Sequence, residues 1–498
     1  MGLGDRDREL NFRIASKLTG MLLAVFGLSM APSLAWSLAD GDSARLALFT
    51  SMILTLGAGG LLYFWGSRRE EELFRREATL VVAAGWVLAA AAGALPFYFA
   101  DLEEMPRFVD CFFESMSGLT TTGASVLGNI EALPRGLLFW RSFTHWLGGL
   151  GIVMLFVAVL PYLGAGGRAL VKSEVTGPVK EGLTPRIKDT ARLLYRLYIG
   201  YTVAETLLLR WAGLSWFDAF CHTFGSLGTG GFSTRNASVA AFDSFAVELI
   251  IITFMILAGS NFALFYSAFR GEPVKVWRDT EFRAYLLIIA GAALFITVSL
   301  LRGPLYEAFG RAFRDAAFSV ISIMTTTGYV TADFEAWPIE AKLALLFLMF
   351  IGGCAGSTGG GIKVIRMVIL AKIALLGLER IYRPNTIRKI RIGGAVLSEE
   401  IQRDVLTLFL LWMVLLVGGS FLIAVIERES FDQMIVPFAA VTSTLNNIGP
   451  GFHEVGATRN YGFLQPASKW VLSFIMLAGR LELYSILVLL MPKFWRSR

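Results

Sequence analysis

The 498-residue chain is 55% hydrophobic and 17% charged, with a mean hydropathy of +0.61, whereas soluble domains carry about 25% charged residues. That composition excludes an ordinary soluble enzyme and calls for a lipid environment. The net charge of +6 fits basic loops beside anionic headgroups, so no nucleic-acid partner is expected. Cys111, Cys221 and Cys354 form no CxxC pair, and His145, His222 and His453 share no metal-ligand spacing, so neither a disulfide framework nor a zinc site is expected. No GxxxxGK[ST] loop occurs, and ATP hydrolysis by this chain alone is not expected.

In chain order, the N-terminus is charged through Arg13, and the first apolar run ends at Asp-Gly-Asp (40–42) rather than at a small-residue cleavage site. That run is therefore expected to be a retained membrane helix rather than a signal peptide. Ten spans are expected, each about 20 residues or longer. Two, at 15–39 and 46–66, precede four similar units. Each unit has an entry helix, a short re-entrant segment and an exit helix: 78–100, 110–121 and 137–163; 191–212, 217–228 and 244–269; 282–302, 314–325 and 339–376; 402–426, 432–445 and 468–492. The expected divisions are 1–76 for the N-terminal pair, then units at 77–189, 190–278, 279–398 and 399–498. The fold class is thus an all-α polytopic membrane protein with four pseudo-symmetric helix–pore-loop–helix repeats around a central pore.

Basic residues cluster before span one, after span two, between successive units and at the C-terminus; Arg68, Arg69, Lys180, Arg186, Arg278, Arg383 and Lys493 are examples. With ten spans all these groups fall on one side, which the positive-inside rule makes the cytoplasm. Both termini are then cytoplasmic, and the re-entrant segments open outward.

The units are tied together by one short pattern: TTGAS at 121–125, TGGFS at 229–233, TTGYV at 326–330 and NIGPG at 447–451. Their central glycines, Gly123, Gly231, Gly328 and Gly449, lie 108, 97 and 121 residues apart, the mark of one unit repeated around an axis. A dehydrated potassium ion needs several oxygen ligands, which backbone carbonyls supply without added charge. Turning successive carbonyls toward one axis demands dihedrals that glycine tolerates. The candidate filter residues are Thr121, Thr122, Gly123, Thr229, Gly230, Gly231, Thr326, Thr327, Gly328, Asn447, Ile448 and Gly449, with the threonine hydroxyls near the same axis. A single TTG is a common tripeptide, and small residues also pack helices; the argument lies in four copies. Asp110, Asp218 and Asp315 each precede a filter glycine by thirteen positions, where they are expected to N-cap the re-entrant helices. Their C-termini, carrying partial negative charge, would then face the pore. The fourth unit breaks this register with Val436 and Pro437, its nearest acid being Asp432.

Two further features suggest a gate. The stretch 343–376 contains Gly352, Gly353, Gly356, Gly359, Gly360 and Gly361, each costing a helix about 1 kcal/mol relative to alanine. A loop between two half-helices is expected there, a close-packing glycine face being the alternative. Arg480 lies in an apolar run, where an arginine is costly unless paired or facing water. Either it faces water or it forms a structural ion pair, with Glu482 or an acid of a neighbouring unit as partner. Lys363 either acts similarly or reaches the membrane edge.

With these residues in view, the chain resembles the Trk/Ktr/HKT superfamily of cation transporters, in particular its TrkH-type potassium-translocating subunits. The resemblance covers essentially the whole chain and rests on the four filter strands, GGCAGSTGGGIK at 352–363, GPVKEGLTPRIKDTARLLY at 177–195 and Arg480 in LAGRLELYS. The two extra N-terminal spans favour TrkH over the eight-span Ktr form. The resemblance implies potassium preference with glycine at 123, a gating loop beneath the filter (Gly356, Ser357, Thr358, Gly359, Gly360 and Gly361) and Arg480 in the permeation path. It also implies a homodimer in the bacterial inner membrane, bound to a cytoplasmic TrkA-type ring of regulatory subunits. Potassium would be the transported ion, with no covalent cofactor, and any NAD or ATP would sit only on that partner. The basic segments 168–192 and 378–391 are candidate docking surfaces or, equally, lipid-facing loops. One rival is the potassium-binding subunit of a P-type ATPase complex. The other is a polytopic membrane enzyme using Glu114, His145 or His222, whose dispersal argues against it.

Overall fold

In lipid, a long apolar run has only its own backbone to satisfy its N–H and C=O groups, and so it closes into helix. The computed structural model of the protein follows this rule; it describes residues 10–66, 74–149, 151, 187–385, 388–428 and 433–496. Among the described residues, five helical stretches are long and apolar enough to cross a bilayer: Phe12–Asp40, Arg45–Trp65, Arg76–Phe99, Thr280–Arg302 and Glu399–Ile426. Two more are bent pairs, Phe245–Ala258 with Phe262–Ala268 at 99° and Pro466–Arg480 with Tyr484–Leu490 at 118°. Side chains such as Leu61, Phe64, Trp211 and Phe421 are exposed on the outer faces, as lipid-facing residues must be.

The remaining expected spans differ in detail. Ile187–Trp211 is a helix that begins among the charges of Lys188, Asp189, Arg192 and Arg196. The span expected at 137–163 is described as Arg135–Gly149, and nearly all the rest of it lies outside the described residues. So do residues 177–186, 168–186 of one basic segment, and Asp432. The span expected at 339–376 is two helices, Ile339–Met349 and Val364–Tyr382, with a non-helical stretch between them. The strand content among the described residues is a hairpin of Arg391–Ile392 and Ala395–Val396. Its turn is Gly393-Gly394, both at positive φ, the pair that a tight two-residue hairpin favours.

Four short helices lie between the long ones: Phe108–Leu119, Trp216–Gly228, Phe309–Met324 and Ile435–Leu445. Each packs against the long helix before it and the helix after it. Pro466–Arg480 also packs on the first short helix, Arg135–Gly149 on the second and Phe245–Ala258 on the third. The N-terminal helices Phe12–Leu28 and Arg45–Trp65 meet backbone to backbone, a Cβ at Gly20 falling 2.6 Å from the carbonyl of Gly59. Both then pack on Arg75–Phe99.

The aspartates are not N-caps. Asp110 and Asp218 are third in their helices, after N-caps Arg107 and Ser215, and Asp315 lies well inside a helix that starts at Phe309. The first two helices begin three residues earlier than the acids suggest, because the third position lets a carboxylate reach back to the cap, and the third begins nearly two turns earlier. Asp110 accepts the Arg107 N–H at 3.3 Å, and Asp218 the Ser215 hydroxyl at 2.7 Å. Asp315 instead accepts the Tyr306 hydroxyl at 2.8 Å. Asp110 also receives Lys469 Nζ at 2.6 Å, which ties the last long helix to the first short one.

Candidate functional site: four glycine segments over a glycine loop

The four short helices end in one way. After the last helical turn, Thr121, Thr229, Thr326 and Asn447 adopt left-handed φ values of 55°, 55°, 59° and 55°. The next residue donates its N–H five positions back: Thr122 to Ser117 at 2.8 Å, Gly230 to Gly225 at 2.8 Å, Thr327 to Ser322 at 2.8 Å and Ile448 to Ser443 at 2.9 Å. This is the Schellman ending, with threonine or asparagine where glycine is usual. Threonine there costs about 1–2 kcal/mol, which three segments carry, while the asparagine of the fourth tolerates the conformation.

The glycine that follows is also at positive φ, at 78°, 78°, 82° and 96° for Gly123, Gly231, Gly328 and Gly449. A Cβ on Gly123 would strike the carbonyl oxygen of Gly230, one on Gly231 that of Thr327, one on Gly328 that of Ile448 and one on Gly449 that of Thr122. The contacts run first to second, second to third, third to fourth and fourth to first. Four carbonyls at equivalent registers therefore form a closed ring, and glycine is required by both dihedral and space.

Side chains behind the ring hold it. Glu114, on the first short helix, accepts Arg141 Nε at 2.6 Å, the Ser125 hydroxyl at 2.9 Å and the Val126 N–H at 2.9 Å. Arg141 also donates to the Ser233 carbonyl at 3.1 Å and covers the Phe232 ring at 3.5 Å, so it spans segments one and two. Tyr329 donates to the His222 carbonyl at 3.0 Å, tying segment three to the second unit. Tyr461 donates to Gly449 O at 2.9 Å, and its own N–H donates to Ser125 O at 2.7 Å. Residues following the glycines line a cavity of about 130 Å³, to which all four glycines contribute.

The opposite face is closed. The stretch between Met349 and Val364 folds back on itself, with the Gly352 N–H on Ile362 O at 2.9 Å. The Gly360 N–H donates to Thr326 Oγ1 at 2.7 Å, and a Cβ on Gly360 would lie 2.6 Å from Asn446 O. The Thr358 hydroxyl donates to Ala258 O at 3.1 Å, and the Ser357 hydroxyl to Cys354 O at 2.6 Å. Gly359 and Gly361 are packed at the same level, while Gly356 is exposed and accepts the Phe262 N–H at 3.3 Å. Arg480 reaches this loop: its guanidinium donates to Thr358 O at 2.6 Å, Gly148 O at 2.5 Å and Gly149 O at 2.7 Å. Glu482 pairs with Arg366 at 2.6 Å. Lys363 is buried and donates to Gly359 O, so it does not extend to an edge.

The twelve residues read as a filter thus lie together; of the seven read as a gate, Gly359, Gly360 and Gly361 lie against one face of them, Thr358 is held by Arg480 and Ala258, and Gly356 and Ser357 lie further out, against Asn261 and Cys354. Most of the threonine hydroxyls are committed to protein partners: Thr122 Oγ1 to Thr120 Oγ1 at 2.8 Å and to Asn447 Nδ2 at 3.0 Å, Thr229 Oγ1 to Gly228 O at 2.6 Å, and Thr327 Oγ1 to Thr325 Oγ1 at 2.7 Å. Thr121 Oγ1 and Asn447 Oδ1 are buried without a hydrogen-bond partner. The groups named for an enzymatic reading are structural: His145 bonds Gly118 O at 2.7 Å, and His222 bonds Asp218 O at 2.8 Å and Ser233 Oγ at 2.9 Å. Sequence reasoning missed Arg141 and Tyr461. An arginine inside RGLLFWRSFTHW was a usable signal; a tyrosine in a polar loop offered none.

Comparison with known proteins agrees with this geometry. The family described as TrkH, cation transport protein, matches residues 44–497. The Trk system potassium uptake protein TrkH of Vibrio parahaemolyticus is 40% identical over 497 residues, covering 98% of this chain and 100% of that protein. The Escherichia coli K12 protein of that name is 38% identical over 492 residues, covering 98% and 100%. The crystal structure of the potassium transporter TrkH from Vibrio parahaemolyticus superposes with a TM-score of 0.87 at 38% identity, over 98% of this chain and 100% of that one. A multi-pass protein of the bacterial inner membrane and a transporter rather than an enzyme, this chain belongs to the TrkH family of cation transport proteins.

Proposed function

We propose that the protein takes up potassium through a pore whose selectivity filter is the ring of four glycine segments. The observation that carries this reading is the closed cycle of contacts, in which each glycine abuts the carbonyl of the next segment. Carbonyl oxygens at one level around an axis can replace the hydration shell of a potassium ion. Thr121 Oγ1 and Asn447 Oδ1, buried and unpartnered, support a polar path continuing past the ring. The loop 352–361 and Arg480 are then the gate: the loop fills the space beneath the ring, and a fixed guanidinium repels cations. Inward flux would be driven by the membrane potential, worth about 2.3 kcal/mol per charge per 100 mV.

The four units at 77–189, 190–278, 279–398 and 399–498, after an N-terminal pair at 1–76, are the repeats of this pore. Both termini face the cytoplasm, where a homodimer binds a TrkA-type ring that carries any NAD or ATP dependence. Full-length similarity to Trk system potassium uptake proteins supports this reading over a P-type ATPase subunit. The test is rubidium-86 uptake into proteoliposomes holding the chain alone, with potassium or sodium as competitor and Gly123→Ser as control. Uptake blocked by potassium but weakly by sodium, with discrimination lost in the variant, is expected. Equal competition by both ions in the unaltered protein would reject potassium selectivity.

A further inference from the structure

The loop under the ring is bracketed by a single carboxylate outside it. Glu281 sits in the first turn of the helix Thr280–Arg302 and is buried. Its Oε1 accepts the backbone N–H of Ala355 at 2.8 Å and that of Ile365 at 3.0 Å. These donors lie ten residues apart. One is in the loop itself, and the other is in the first turn of the helix that follows it. One oxygen therefore closes residues 355–365 into a cycle whose contents include Thr358, bonded to Arg480, and Gly360, bonded to Thr326.

The donors explain the choice of an acid. Ile365 belongs to the N-terminal turn of Val364–Tyr382, whose N-cap Lys363 gives no side-chain cap. Free N–H groups and the positive end of the helix dipole there favour an anion. Hydrogen bonds to an ionised acceptor are about twice as strong as neutral ones. Charged groups that act on Glu281 include Asp279, two residues before it, and Lys363, whose ammonium is bonded to Gly359 O.

We propose that Glu281 is a positioning residue that latches the loop in its closed place beneath the ring. The proposal rests on reading the loop as the gate. The latch is covalently next to the short helix Pro273–Arg278, which has Asp279 after it as N-cap of the long helix. A displacement of residues 273–279 would reach the loop through Glu281 without passing through the ring. Removing the carboxylate should free the loop and leave the ring's geometry intact.

The test measures rubidium-86 uptake and potassium-over-sodium competition for the full chain in proteoliposomes, in wild type, Glu281→Ala and Glu281→Gln. Uptake is expected to rise about tenfold in Glu281→Ala, equivalent to about 1.4 kcal/mol, with the competition ratio unchanged. Glu281→Gln, which keeps one carbonyl acceptor and the side-chain volume, should lie between. In the same backgrounds, Ser357→Cys should react faster with a soluble thiol reagent when the acid is absent. A purely structural role would not raise uptake while sparing selectivity. Unchanged or lower uptake, together with unchanged labelling of Ser357→Cys, would overturn the latch. If Glu281→Ala does not give folded protein, the same two readouts on Glu281→Gln decide the matter. The labelling separates the failures: faster labelling of Ser357→Cys without a rise in uptake would count against reading the loop as the gate, whereas unchanged labelling with unchanged uptake counts against the latch.

Discussion

The two faces of the glycine ring are built differently. On the cavity side, the segments are held by side chains in the wall: Glu114 with Arg141, Tyr329, Tyr461 and Ser443, whose hydroxyl donates to Gly449 O at 2.7 Å. On the loop side, backbone approaches backbone at Gly359 and Gly360, glycines at 352 and 361 let the loop fold on itself, and one guanidinium is bonded to three carbonyls. Wall-anchored carbonyls cannot shift without breaking buried pairs, which suits a ring that must keep one diameter. A glycine-rich segment held by a few exchangeable bonds can leave its place. Substitutions on the cavity side should therefore change which ion passes, and those on the loop side how fast.

The largest effect is expected at the ring itself. Gly231→Ala adds a Cβ against the carbonyl of Thr327 at a residue whose φ is 78°. Potassium-over-sodium discrimination in the uptake assay should fall at least about a hundredfold, near 3 kcal/mol, within the strain of such positions. A variant that kept its discrimination would show that this carbonyl level does not set selectivity. Next comes Arg141→Ala, which leaves Glu114 buried and uncompensated. Breaking a buried pair from one side costs about 3–5 kcal/mol, so a lower melting temperature of the purified protein in detergent is expected. Glu114→Gln with Arg141→Met, which removes both charges, should recover much of that loss.

Much of this was legible in the sequence because repetition is a strong signal: four glycines at one register mark the segments, and six glycines within 352–361 mark the break in the helix. The faces were less legible. Helix starts were misplaced because Asp110 and Asp218 serve the third helical position rather than the cap, and composition does not separate these roles. The partner of Arg480 was not readable either. Glu482 is two residues away, but the chain reverses there, with Glu482 and Leu483 at φ 51° and 62°, and the acid turns to Arg366. The clamp between units one and two depends on Arg141 meeting a carbonyl 92 residues away, a contact that no local pattern encodes.

On the loop side, Arg480→Ala removes three charge-assisted bonds and the fixed charge beneath the ring. Each such bond is worth about 1.5–3 kcal/mol, but the freed carbonyls can find other donors, so an increase in uptake of about tenfold is expected rather than the full sum. Competition by sodium should stay as in wild type. A change in selectivity without a change in rate would reverse the assignment of the two faces.

The smallest effect, and the finest test of the difference between faces, is Tyr461→Phe. The hydroxyl is buried and donates to Gly449 O, an oxygen that also accepts from Ser443. Because the second donor remains, the carbonyl is not stranded, and the loss should be about 1 kcal/mol. That is enough to loosen segment four, where Pro450 follows the glycine and Asn447 replaces threonine. Discrimination should fall by about threefold to fivefold with maximal uptake unchanged, read from the sodium concentration that halves rubidium-86 entry. A change in maximal uptake with selectivity intact would mean that this side of the ring also moves during gating.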